Sequence, residues 1–381
     1  MKIFILASYP PTIISFRGDL IKLLLKNGNQ LIIGSPFNKH EDKFRSQLKD
    51  MDITTLDFPL ARTSLNPYFF LRSLFYSIFT LVRYKPDCLL PYTITPVILL
   101  GSISTFLNFF GLKKIKFFPL ITGLGSIFTN KPSNLKSKII YYLILYLYKF
   151  ALKKANTIIF QNPDDIDFFL KKSIIDSSQK VKRVYGSGVN LIKYPFTNVP
   201  RNHIFLMVAR VLKDKGIYEY VNAAKKVLAK RKDVKFMLIG DFDLNPFSIP
   251  RKEVENWNNT GIIKYLGFKE NVQQYIKKCR YFVLPSYREG TPRSSLEALS
   301  SGRPIITTNA PGCKETVIDG YNGLLVSPKD SHQLYEAMMK MISYEEKKIQ
   351  KMGLASRKMA EEFYDSQKVS SEYYKILFHG K

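Results

Sequence analysis

The run from Tyr281 to Thr308, YFVLPSYREGTPRSSLEALSSGRPIITT, leaves the chain few ways to fold. Tyr281 to Leu284 is an apolar run that reads as a buried strand, stopped at Pro285 because proline has no N–H for a sheet ladder. A loop then carries Glu289 and Gly290. Thr291 followed by Pro292 signals the start of a helix, the hydroxyl capping a free amide and proline taking the first helical position, where no bond is lost. Leu296, Ala298 and Leu299 supply the helix with apolar contacts. Gly302 ahead of Arg303-Pro304 closes it, and Ile305 to Thr308 reads as the next strand.

A helix start of this kind turns unpaired backbone N–H groups and the positive end of the helix dipole into the loop, which suits a diphosphate bound near Thr291 to Ser295. Glu297 falls about one and a half turns into the helix, whereas Glu289 precedes it. The two carboxylates can therefore address different parts of one elongated ligand, a ribose diol or a sugar being plausible partners. The alternative is an ordinary strand–helix unit whose glutamates are merely solvated.

The pattern E-G-x-P-x-x-x-x-E-A followed by G-x-P resembles the signature of the family 4 retaining glycosyltransferases of GT-B fold. The resemblance implies an α/β protein of two Rossmann-like, doubly wound domains facing across a cleft, with the C-terminal helix crossing back to the first. On that basis we divide the chain into a membrane-facing acceptor domain, 1–195, a nucleotide-sugar domain, 196–360, and a returning helix, 361–381.

The first domain opens with strand Lys2 to Ala7, helix Ser15 to Asn27 and strand Leu31 to Gly34. The loop SYPPTIISFRG after the first strand holds a single glycine, Gly18, and lacks G-x-G-x-x-G, which disfavours a dehydrogenase. Asp87 to Leu90 is a further strand, with Thr93 at its end, the rim where open α/β sheets take ligands. Pro67 to Arg83 is an aromatic amphipathic segment read as core, and Val97 to Phe110 as a buried helix. Gly123 and Gly125 in TGLGSIFTN allow close backbone approach to a ligand. In the resemblance this loop is similar to that of enzymes extending polyprenyl-linked oligosaccharides, and Gly18, Thr93, Gly123 and Gly125 are the acceptor or cleft candidates.

The second domain repeats the pattern: strand His203 to Ala209, helix Ile217 to Lys230, strand Val234 to Gly240. ARVLKDKG after its first strand matches the family's R-x-x-x-x-K-G. The resemblance assigns Arg210 and Lys215 to the donor diphosphate, with Glu289 positioning the transferred sugar or stabilising positive charge. Glu297 would hold ribose hydroxyls, and Gly290, Thr291, Pro292, Arg293, Ser294 and Ser295 would line the donor site. GSGVN is similar to the family's inter-domain G-x-G-V-D, with Asn190 replacing the acid. Asp241-Phe242-Asp243 is the Asp-x-Asp of metal-dependent transferases of another fold. It is discounted here because Arg210, Lys215 and the helix start already supply positive charge, so neither metal nor cofactor is expected.

Composition narrows the partners. The net charge is +27, and from Phe58 to Pro163 there are 13 Lys or Arg against one acid, Asp87. Such imbalance favours an anionic partner, a membrane surface or nucleic acid. Leu135 to Lys154 centres on IIYYLILYLY between lysines; this apolar run is about half the length needed to span a bilayer, and its tyrosines and lysines suit an interfacial element. Three scattered cysteines and no visible signal peptide fit a reducing cytoplasm. The expected function is transfer of a hexose or N-acetylhexosamine from a nucleoside diphosphate sugar, UDP favoured, to a polyprenyl-diphosphate-linked saccharide. It would take place at the inner membrane face, as in O-antigen, capsule or lipid-linked oligosaccharide assembly, with no nucleic-acid partner. A sugar-nucleotide epimerase and, behind it, a basic nucleic-acid-binding protein are the alternatives.

Overall fold

The computed structural model describes residues 1–37, 42–60, 67–111, 114–124, 128, 134–243 and 247–379. The chain divides into two compact units, one of Met1–Val184 with Val369–Lys381 and one of Tyr185–Lys368.

In the first unit, strands and helices alternate: β1 Lys2–Leu6, α1 Pro11–Lys26, β2 Gln30–Ser35, α2 Asp42–Lys49, β3 Thr54–Asp57, α3 Pro67–Tyr84, β4 Cys88–Pro91, α4 Ile94–Phe109, β5 Lys116–Phe117. Their sheet runs β3-β2-β1-β4-β5, all neighbours parallel. β6 Leu120–Ile121, α5 Leu135–Leu152, β7 Ile158–Phe160, α6 Pro163–Lys171 and β8 Val181–Arg183 continue the unit as β6-β7-β8, joined to β4 by a bridge from Tyr92 to Leu120. Short apolar strands such as KIFIL are buried on both faces, as a parallel sheet between helices requires.

The second unit repeats the design with β9 Ile204–Val208, α7 Ile217–Lys230, β10 Lys235–Ile239, α8 Arg251–Asn259, β11 Lys264–Tyr265, α9 Gln273–Lys278 and β12 Tyr281–Leu284. It continues through α10 Arg293–Ser300, β13 Ile305–Thr308, β14 Gly323–Val326, α11 Ser331–Ser343 and α12 Glu346–Phe363. The parallel sheet order is β11-β10-β9-β12-β13-β14. Both sheets therefore reverse direction of growth beside their first strand, between β1 and β4 and between β9 and β12. That crevice, at the carboxyl ends of the strands, is where doubly wound sheets bind ligands.

Arg303, the middle residue of G-x-P, is wholly buried in the second unit. Its guanidinium donates to the carbonyls of Thr197, Asn198, Cys279 and Ser301, tying the end of α10 to the segment before β9. These acceptors compensate the burial of its two terminal nitrogens, while Nε is buried without a partner among the described residues. Burial likewise pushes the Cys88, Cys279 and Cys313 thiols up to about 12, so all three stay protonated.

Two sequence expectations are revised. The returning helix expected over 361–381 is interrupted: α12 ends at Phe363, and after Tyr364–Asp365 comes α13 Ser366–His379. Within the first unit, Tyr373 of α13 stacks on the buried Arg17 of α1, whose guanidinium also lies over the Tyr92 ring. The second revision concerns α3, read as core: Leu71, Phe75, Phe79 and Val82 are exposed while Ser73, Ser77 and Thr80 are buried.

Candidate functional site

The loop after β9 and the loop after β12 leave adjacent parallel strands at the reversal point of the second sheet. They touch through backbone: Tyr287 donates its N–H to the Asp214 carbonyl at 2.9 Å. Gly216 sits at φ +74° with its missing side chain pointing at the Pro285 carbonyl, where a Cβ would lie 2.1 Å away. Glycine is needed here both for the left-handed backbone and for the close approach.

This contact orients the end of the 3₁₀ turn Lys213–Lys215. Lys215 Nζ donates to Glu289 Oε1 at 2.6 Å, and both side chains are mostly buried, 12% and 17% exposed. Two residues 74 positions apart in sequence are thus brought into one ion pair. The Glu289 backbone is fixed from the other side, its N–H donating to the Pro311 carbonyl at 2.9 Å. Gly312, at φ +79°, presses so closely on the same loop that a Cβ would stand 2.2 Å from the Glu289 carbonyl oxygen.

Arg210 is placed differently. Its Nη1 donates to Asp243 Oδ2 at 2.6 Å; the arginine side chain is 46% exposed and the aspartate 5%. Asp243, noted in the sequence as half of a metal-type Asp-x-Asp, is instead the anchor of this cation.

Glu297 lies on α10, held by Arg293 one turn earlier, whose Nε approaches Oε1 at 3.3 Å. Arg293 Nη1 also donates to Ser187 Oγ at 3.2 Å and to the Gly188 carbonyl at 2.9 Å. The Tyr194 phenol hydrogen-bonds the same carboxylate; burial and then the Glu297 charge push its pKa well up, so it stays a donor. Gly186, at φ +68°, leaves room for Thr291, whose Cβ is 2.7 Å from where a side chain would begin. Asn190, in the place of the family acid, accepts from the Ile192 and Lys193 amides and shapes this turn.

The helix start differs from the sequence reading. Pro292, not Thr291, is the cap residue, with extended backbone at φ −72° and ψ 111° and no side-chain capping bond, so α10 begins at Arg293. Thr291 packs on Gly186 instead. Gly290 and Pro292 are buried, Thr291, Arg293 and Ser294 half-buried. Ser295 is fully buried and its N–H returns to the Pro292 carbonyl at 3.0 Å, so an anion at this helix start meets the residues ahead of it.

In the first unit, Thr93 caps α4 with φ +71°, an uncommon backbone for a β-branched residue, and shares a 2.6 Å hydrogen bond with Ser8 Oγ across the reversal point of β1 and β4. Gly123 has φ +109°. Gly18 lies inside α1, where a Cβ would meet nothing closer than Ile14 Cγ2 at 4.0 Å, so no close approach requires a glycine there. Gly125 lies outside the described residues.

Residues 194–359, which include Arg210, Lys215, Glu289 and Glu297, match the model of the glycosyl transferases group 1. This part of the chain is a glycosyltransferase group 1 domain. Over 99% of its length the chain is 26% identical to the N,N'-diacetylbacillosaminyl-diphospho-undecaprenol alpha-1,3-N-acetylgalactosaminyltransferase of Campylobacter jejuni, of which it covers 98%. It is 27% identical, over 54% of its own chain and 56% of the relative, to the UDP-Gal:alpha-D-GlcNAc-diphosphoundecaprenol alpha-1,3-galactosyltransferase of Escherichia coli. Among solved structures, sucrose-phosphate synthase from Thermosynechococcus elongatus superposes with TM-score 0.78 at 16% identity, each chain covered completely. HepE of Anabaena in complex with UDP-glucose superposes with TM-score 0.75 at 18% identity, 99% of each chain covered. The fold is GT-B, two Rossmann-like domains, as expected from the sequence. The epimerase alternative falls, because the family and the named relatives are transferases.

Proposed function

We propose that this glycosyltransferase moves a hexose or N-acetylhexosamine from a UDP-sugar to a polyprenyl-diphosphate-linked saccharide, with retention of anomeric configuration and without a metal. It would work as a peripheral protein on the inner face of the cell membrane. Two cations and two carboxylates gathered at the reversal point of the second sheet carry this reading. The names of the Campylobacter and Escherichia relatives support the acceptor class, and the UDP-glucose complex of HepE supports the donor class.

The chemical problem is a diphosphate departing from a sugar that gains oxocarbenium character. Arg210 and Lys215 supply the positive charge that a leaving diphosphate needs, and a preorganised cation is worth more there than a solvated one because it needs no reorganisation during the step. The mostly buried Lys215–Glu289 pair places negative charge beside that cation, where Glu289 can meet sugar hydroxyls or developing positive charge. Glu297, braced by Arg293 and Tyr194, presents a fixed carboxylate to a ribose diol. Thr93 and Gly123 in the first unit are the acceptor-side candidates.

Arg293 acts in this scheme as a positioning residue. Arg293→Gln is expected to raise the donor KM about tenfold with a smaller change in kcat, since it loosens a ground-state contact rather than one made only in the transition state. An equal fall in kcat at unchanged KM would remove Glu297 from the ribose.

The function is tested by screening UDP- and GDP-sugars against a membrane lipid extract with EDTA present and assigning the anomer of the product by NMR. Transfer from a UDP-sugar to lipid with retained configuration is the expected result. Inversion, or activity that returns only with added divalent metal, overturns the mechanism.

A further inference from the structure

In α3, Ser73, Ser77 and Thr80 face inward and return their hydroxyl protons to backbone carbonyls, Ser73 to Phe69 and Pro59, Ser77 to Ser73, and Thr80 to Tyr76. Leu71, Phe75, Phe79 and Val82 recur at helical spacing on the opposite, exposed face, Phe75 and Val82 at 69% and 68% exposure. This inverts the usual surface helix, in which polar residues meet water. The inward hydroxyls are satisfied locally, so the inversion leaves no unpaired polar group to explain it.

α5 is not inverted but exposes an apolar stripe as well as burying one. Ile144, Tyr148, Ala151 and Leu152 are buried, whereas Ile139, Tyr142, Tyr146 and Phe150 form a second exposed stripe. Both helices pack against α4, most of which is buried but whose carboxyl end exposes Phe106, Phe109 and Phe110. The three helices contain no aspartate or glutamate. Arg72 and Arg83 on α3 and Lys136, Lys138 and Lys149 on α5 are exposed among these apolar stripes. No helix among the described residues is long and apolar enough to cross a membrane.

We propose that α3, the carboxyl end of α4 and α5 form one docking surface that sets aromatic and aliphatic side chains into the headgroup region of an anionic bilayer, with the flanking lysines and arginines on lipid phosphates. Neighbouring exposed apolar stripes mark an interaction site, and Tyr and Phe with basic neighbours match the chemistry of the interface. A second copy of the chain is the poorer occupant: a two-fold interface would press the acid-free basic patch against itself. The proposal gains its biological sense from the lipid-linked-acceptor reading, but its physical basis lies in residues outside the donor site.

The test is co-sedimentation of the full chain with phosphatidylcholine vesicles and with vesicles that also contain phosphatidylglycerol. The paired substitutions Phe75→Ser with Phe79→Ser, and Tyr142→Ser with Tyr146→Ser, remove exposed side chains only, and thermal unfolding checks that each variant folds. Wild type is expected to sediment with the anionic vesicles, and each paired variant to bind them at least about tenfold less. Equal sedimentation of variants and wild type overturns the proposal, as does binding that salt reverses completely whatever the aromatic content. A concentration-dependent dimer dissolved by the same substitutions, with no vesicle binding, assigns the surface to a second copy and also overturns it. Transfer to a water-soluble short-prenyl diphosphate saccharide separates the two readings. Vesicle binding without such transfer refutes the acceptor assignment and leaves the docking surface standing; transfer without vesicle binding does the reverse.

Discussion

Lys215→Ala is expected to lower turnover by about 100- to 1,000-fold, the range seen when one preorganised transition-state donor is removed. Two effects coincide in this substitution. The departing diphosphate loses a cation, and Glu289, only 17% exposed, loses the ammonium 2.6 Å from its carboxylate. Losing that ammonium is costly for a carboxylate at that depth. Arg210→Ala is expected to cost a similar factor in kcat, and it too takes a cation from a mostly buried carboxylate, Asp243. Arg210 is 46% exposed but its Asp243 partner only 5%, so removing the arginine from that mostly buried carboxylate is expected to lower stability as well as turnover. Steady-state kinetics with denaturant melts on both variants separates the contributions. The prediction fails if either variant turns over at the wild-type rate.

Gly312→Ala is expected to destabilise the second unit by about 3 kcal/mol and to disable the site in the fraction that folds. The residue occupies φ +79°, and its added Cβ would fall 2.2 Å from the Glu289 carbonyl oxygen and 2.6 Å from that of Gly290. Both obstacles are backbone and cannot swing away, so the Glu289 loop must shift. Gly320→Ala is the control: it shares a positive φ, +74°, but meets nothing within 4 Å, so it should show only the strain, about 1 kcal/mol. Urea midpoints at unchanged slope measure both. Equal costs for the two substitutions would show that Gly312 is needed for its backbone conformation and not for the space it leaves to Glu289.

The alternating strand and helix pattern, and with it the doubly wound class, was legible because buried parallel strands are short apolar runs bounded by glycine and proline. The residues gathered at the sheet reversal were legible from two motifs, one carrying Glu289 and Glu297 and the other Arg210 and Lys215. What the motifs could not show is who holds whom. Asp241-Phe242-Asp243 has metal-type spacing that the neighbouring cations argue against, but nothing in the sequence says what Asp243 does instead; only the folded loop brings it to Arg210. Tyr194, more than 100 residues from Glu297, leaves no local signal, and neither does the burial of Arg303 among four carbonyls. Thr291 followed by proline is a sound capping pattern, but Gly186 offers the threonine a packing site and the helix starts after Pro292. In α3 the sequence shows the helical period but not which face is buried. Hydropathy alone cannot tell whether an apolar stripe turns toward a core or away from water into lipid.

The most direct test of the donor-site assignment is a calorimetric titration of UDP, in EDTA, into the wild-type chain and into the Arg210→Ala, Lys215→Ala double variant, with uridine as the reference ligand. The account predicts that UDP binds the wild type and that the double variant loses at least about tenfold in UDP affinity, while the weaker binding of uridine is unchanged, because the two cations address the diphosphate and not the nucleoside. UDP bound equally well by both proteins would contradict it and place the diphosphate elsewhere.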